Sequence, residues 1–253
     1  MRWNNHKPSQ STKIAKLSIR DILVILVCFT LSLTMGLLSG DPIVGGLLLV
    51  TGLLGGYLAS IQKRIGYFFG LANALLIAYV GFENGFYGTF IINILIFAPL
   101  EIYGFIAWSH NLNRKRDVKI RRLNRQKSLI VTSACVVGSV MLGYLLTKIP
   151  GQQMAFLDST IGCLDICALL MMNLRYLESW WLWVISSILS VIMWAITFFT
   201  GGGPSVTMRL ISTISFLIIN SYGAIKWSLE LKKKKHHTPK TSKTRAQTAK
   251  KSR

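Results

Sequence analysis

Eight apolar runs, each close to the length of a membrane-crossing helix, limit what this chain can fold into. They cover 21–38, 43–61, 65–82, 88–108, 128–147, 158–174, 180–199 and 206–227. A hydrocarbon core about 30 Å thick takes roughly 17–25 helical residues to cross. The reading is therefore an all-α integral membrane protein with about eight transmembrane helices. Composition agrees, since 15% of residues are charged, whereas soluble domains carry about a quarter. No small-residue cleavage motif follows the first run, so it is expected to stay as a span rather than leave as a signal peptide. Asp41-Pro42 and Gly201–Pro204 supply turn chemistry between neighbouring spans.

A net charge of +20 would suit nucleic acid, but its placement argues against that partner. Lys and Arg gather in an N-terminal tail (1–20), a central loop (109–127) and a C-terminal tail (228–253). With the N-terminus inside and sides alternating, 27 of the 29 basic residues fall inside, and only Lys148 and Arg209 fall outside. Cytoplasmic loops of membrane proteins carry this excess. Both termini are thus expected in the cytoplasm, in the plasma membrane. The C-terminal tail reads as disordered, serving orientation and attraction to anionic lipid.

Two helix ends are alike: Tyr103-Gly104-Phe105-Ile106-Ala107-Trp108 and Tyr222-Gly223-Ala224-Ile225-Lys226-Trp227. Upstream, Phe69 and Asn73 share the spacing of Trp183 and Ser187. Residues 43–108 and 158–227 therefore read as two three-helix repeats, joined by a linker span at 128–147, with 21–38 an extra N-terminal helix. The linker makes the repeats parallel, an architecture in which transporters hold substrate near the midplane between the halves.

Side chains advance about 100° per residue along a helix, which brings polar and aromatic groups onto shared faces. Span seven aligns Trp180, Trp183, Ser187, Ser190 and Trp194, with Trp181 pointing elsewhere. Span four aligns Asn93, Phe97, Glu101, Gly104 and Trp108, and span eight aligns Arg209, Thr213, Phe216, Asn220, Gly223 and Trp227. Span six aligns Asp158, Asp165 and Met172. A carboxylate at mid-depth costs roughly 2.5–3.5 kcal/mol, so Glu101 and Asp165 must face protein, water or a ligand. The four faces point to a central polar pathway; the plainer reading is interhelical hydrogen bonds and an aromatic belt. Asp158 and Arg209, both near the outer surface, are expected to be close enough for an ion pair.

Cys28, Cys135, Cys163 and Cys167 all fall in spans, which implies no disulfide framework. His6, His110, His236 and His237 fall in tails or loops, so no catalytic or metal site is expected in the membrane. No phosphate-binding G-x-x-x-x-G-K-[ST] loop is present. The expectation is a protein with no cofactor, no metal and no enzyme activity.

Phe156-Leu157-Asp158-Ser159, the run from Arg175 to Ile185 with its E-x-W-x-x-W core, and Asn220 with Tyr222-Gly223 and Trp227 resemble the PnuC family of nicotinamide riboside transporters. Phe68 to Asn73 and Gly104 with Trp108 extend the likeness over roughly 43–230. The resemblance implies a SWEET-like pair of parallel three-helix bundles, and facilitated uptake of a vitamin precursor trapped by cytosolic phosphorylation. It implies Trp180 and Trp183 as aromatic partners of a cationic ring and matches Asn73 and Asn220 to the family's polar positions; the leading reading sets the ribose hydroxyls on Asn73, Asn93, Asn220 or Ser187. Ser187 stands where the family has Asn, Glu101 where Gln or Asn is usual, and Asp165 where a small residue is commoner. Those departures leave thiamine or another vitamin as alternative cargo and proton coupling as a variant. A homo-oligomer follows by analogy with SWEET-like members. A receptor or scaffold recruiting a partner through its basic tail is the reading from a different class.

Overall fold

The computed structural model describes residues 19–38, 40, 43–110 and 120–236 of the chain. The tails at 1–18 and 237–253, the segment 111–119, Ser39 and the Asp41-Pro42 pair lie outside the described residues. The described chain is helical throughout: α1 (Ile19–Leu38), α2 (Val44–Ser60), α3 (Gly66–Glu83), α4 (Tyr87–Ile92), α5 (Ala98–His110), α6 (Arg125–Leu146), α7 (Ala155–Asn173), α8 (Glu178–Phe199) and α9 (Pro204–His236). Six continuous helical stretches are long and apolar enough to cross a membrane, counting Tyr87–Ser109 as one. Val44–Ser60, also apolar, is 17 residues long. Large apolar side chains such as Phe68, Leu95, Leu129 and Ile218 are exposed, as lipid-facing residues must be.

Six packed elements close a ring: α2 on α3, α3 on α4 and α5, these on α7, α7 on α8, α8 on α9, and α9 back on α2. α1 lies outside against α2, and α6 outside against α7. Glycines let α2 take its place in the ring. A Cβ on Gly55 would stand 3.3 Å from the backbone nitrogen of Gly70, so α2 and α3 touch backbone to backbone.

The two helix ends with matching sequences make matching contacts. The Trp108 indole donates to the Met172 carbonyl at the end of α7 (3.3 Å), and the Trp227 indole donates to the Ser60 carbonyl at the end of α2 (3.2 Å). α5 is therefore anchored on α7, and α9 on α2. A Cβ on Gly104 would run into the Tyr67 ring and the Asn173 amide oxygen, and one on Gly223 would run into the Trp180 ring. Overpacking of this kind costs roughly 1–3 kcal/mol. Gly104→Ala is accordingly expected to lower the thermal unfolding midpoint in detergent by several degrees; an unchanged midpoint would contradict this packing.

Between α4 and α5 the chain forms one π-helical turn, Asn93–Phe97, in which the Ala98 N–H reaches back to the Asn93 carbonyl. The sequence cause is Pro99, which has no N–H to give to a carbonyl one turn earlier. The apolar run at 88–108 hid this break, although a proline inside it was the available signal.

α9 continues nine residues beyond the expected end of its span, to His236. Lys and Leu are good helix formers, and tertiary contacts hold the extension. Glu230 accepts from the Gln62 side chain at 2.6 Å, and Leu231 packs on the tryptophan-rich core. The segment 120–124 is tied to the α7–α8 turn, with Arg121 N–H on the Arg175 carbonyl (2.8 Å) and Leu177 N–H on the Arg121 carbonyl (3.0 Å).

Candidate substrate-binding site

The ring surrounds a cavity, and every one of its six walls contributes to the lining. All eight residues singled out from the sequence line it: Asn73 from α3, Asn93 from the π turn, Glu101 from α5, Asp165 from α7, Trp180, Trp183 and Ser187 from α8, and Asn220 from α9. Sequence reasoning missed the contribution of α2, where Thr51 and Gly52 face the cavity, and of Tyr67 and Gly70 on α3. These residues carry no periodic polar face, so only helix packing reveals them.

The aromatic part has two layers. Trp183 meets Phe97 edge to face, with ring centroids 6.1 Å apart and planes at 67°. Trp180 sits beneath, packed against Trp227 at 5.6 Å, and is 1% exposed, so it is a buried wall rather than an interfacial anchor. Its neighbour Trp181 is 50% exposed, on the far side of the helix.

The amides are held by their NH2 groups. Asn73 donates to the Leu48 carbonyl (2.7 Å) and the Thr51 hydroxyl (3.1 Å), and Asn93 donates to the Thr89 carbonyl (2.8 Å). Asn220 donates to the Ser187 hydroxyl (2.9 Å). Asn73 and Asn220 thus fix helix contacts with their donors while Asn93 bonds back within its own helix, and each keeps a carbonyl oxygen to accept from a ligand.

The two acidic groups differ. Asp165 receives the Ser186 hydroxyl and is coupled electrostatically to Arg209, whose guanidinium lies 5.6 Å from the Trp194 ring centre. Glu101 lies against Gly70, where an added Cβ would stand 2.5 Å from its carboxylate. No donor among the described residues reaches it.

Asp158 is absent from the lining, and its expected pairing with Arg209 is not formed. The Asp158 carboxylate is fully buried and accepts from the Thr89 N–H (3.2 Å), the Thr89 hydroxyl (2.5 Å) and the Gln152 side chain (3.0 Å). Gln152 in turn accepts from the N–H groups of Tyr87 and Gly88 at 3.0 and 3.3 Å. Together they cap the start of α4, where unpaired N–H groups and the helix dipole favour a negative charge. That local demand outcompetes a distant arginine. Cys135, Cys163 and Cys167 are free thiols on α6 and α7, away from the lining.

Helices ringed around a polar and aromatic cavity, with apolar side chains turned outward, define a multi-pass membrane protein of the transporter class. Similarity to known proteins narrows this. The chain belongs to the nicotinamide mononucleotide transporter family, whose model matches residues 43–229. The nicotinamide riboside transporter PnuC of Neisseria mucosa is 31% identical over 189 residues, 73% of this chain and 71% of that protein. The Escherichia coli transporter of the same name is 31% identical over 172 residues, 58% of this chain and 72% of that one. A crystal structure of the vitamin B3 transporter PnuC superposes with a TM-score of 0.72 at 27% identity, covering 86% of this chain and 94% of that one.

Proposed function

We propose that this protein is a facilitator that imports nicotinamide riboside for NAD synthesis. The observation that carries the reading is the meeting of Trp183 and Phe97 with amide oxygens in one enclosed space. The pyridinium ring sits in the aromatic corner, and the ribose hydroxyls donate to Asn73, Asn93 and Asn220, with Ser187 beside them. Passage occurs as the two parallel three-helix halves, SWEET-like in arrangement, rock around this midplane site. The excess of basic residues on one side supports a plasma-membrane orientation with both termini in the cytoplasm.

The riboside is favoured over the mononucleotide by charge. The described lining contains two carboxyl groups and one guanidinium, Arg209, whose Nε and Nη1 make no hydrogen bond. A phosphate dianion entering this space would face two carboxyl groups against that one guanidinium and would lose its hydration.

Purified protein in liposomes is expected to give saturable uptake of labelled nicotinamide riboside. Unlabelled riboside should abolish it, while a tenfold excess of nicotinamide mononucleotide should leave it largely intact. Absence of a competable flux would end the proposal.

A further inference from the structure

We infer that Glu101, and not Asp165, makes this cavity select its ligand by charge, its carboxylate serving as counter-ion to a fixed positive charge on an aromatic ring. The inference deepens the riboside reading and rests on it for the identity of the ring.

Glu101 is 9% exposed and lines the cavity. Arg209 is the one cation in the described lining; it stands over the Trp194 ring, with Nε and Nη1 making no hydrogen bond, and it reaches neither acid by a hydrogen bond. Tyr67 lines the same cavity, and its buried hydroxyl makes no hydrogen bond to the carboxylate. Asp165, by contrast, has both the Ser186 hydroxyl and the field of Arg209. Of the two acids, one is compensated within the protein and the other is left for something that enters.

The internal repeat sharpens this contrast. With Tyr103 matched to Tyr222, Glu101 corresponds to Asn220. Asn220 is held by Ser187 on the neighbouring helix. Asn73, the counterpart of Ser187, turns its donors to α2 instead, toward Leu48 and Thr51. The half containing Glu101 therefore supplies no donor at the matching place. A buried carboxylate without a partner is expensive to keep. One turn away on the same face stands Phe97, packed against Trp183, so aromatic faces and a bare carboxylate meet in one corner. An aromatic cation satisfies both at once, whereas a neutral ring of the same outline leaves the carboxylate unpaired.

The test compares nicotinamide riboside with its reduced form, which keeps the skeleton but lacks the ring charge, in liposome uptake. Wild-type protein should prefer the cation by at least about tenfold. Glu101→Gln should bring that ratio near unity, and Asp165→Asn should leave it in place. Because the empty protein offers that carboxyl group no hydrogen-bond partner, Glu101→Gln should also unfold at the same or a higher temperature. A ratio unchanged by E101Q, a ratio equally lost in D165N, or an E101Q protein that unfolds earlier or fails to fold would each overturn the inference. Binding of 1-methylnicotinamide against nicotinamide to the detergent-solubilised protein separates this from the substrate assignment. If riboside shows no flux yet E101Q still abolishes a preference for the methylated ring, the substrate reading fails and charge selection stands. If riboside is transported but E101Q leaves both ratios unchanged, charge selection fails alone.

Discussion

Trp183→Ala is expected to raise the nicotinamide riboside concentration for half-maximal uptake by about ten- to a hundredfold, while Trp183→Phe restores most of the affinity. Stacking or cation–π contact with a buried aromatic contributes roughly 1–3 kcal/mol per ring, and each 1.4 kcal/mol is a factor of ten. The Trp183 ring is partly exposed and faces Phe97 across the cavity. Its packing contribution to the empty protein is accordingly smaller than that of Trp180, which is buried against Trp227. The two variants should therefore separate. Trp183→Ala should impair affinity with a modest change in unfolding temperature, whereas loss of Trp180 should impair folding first. Riboside affinity that survives Trp183→Ala would remove the aromatic corner from the binding site.

The second large effect is expected on stability. Asp158→Ala strands the Thr89 N–H, the Thr89 hydroxyl and the Gln152 amide, all of which now donate to one buried carboxylate. Unsatisfied buried donors cost about 1–3 kcal/mol each, less whatever relaxation or water recovers. A net loss of about 3 kcal/mol is expected on that basis, visible as a marked drop in the detergent unfolding midpoint. Asp158→Asn should lose less, because its remaining oxygen can still accept from Thr89. Since Gln152 also holds the first N–H groups of α4, the damage should spread to the start of that helix. Faster hydrogen exchange at Tyr87 to Thr89 would report it. If Asp158→Ala unfolds with wild-type behaviour, the cap is not a stabilising element.

The helices and their cavity-facing sides are legible in the amino-acid order, because both depend on local periodicity. An apolar run of membrane length has few alternatives to a helix. On a helix the 100° advance puts Trp180, Trp183, Ser187 and Ser190 on one side whatever surrounds them. The same arithmetic groups Asn93, Phe97 and Glu101, and they remain together across a π turn that the apolar pattern conceals. The part played by α2 is not legible in this way. Its glycines look like ordinary small residues until α3 and α9 are seen pressing against them, as when a Cβ on Gly52 would meet Phe216 at 2.6 Å.

Sequence by itself thus determined a membrane-embedded helical chain with polar and aromatic faces on four of its spans. The tertiary structure alone decided which charges are compensated. Asp158, Asp165 and Glu101 all sit on polar helix faces along the chain, yet one caps a helix, one accepts from a serine, and one is left facing the cavity. Periodicity fixes the direction of a side chain relative to its own helix. Electrostatic compensation depends on distances between helices far apart in sequence, and only packing sets those.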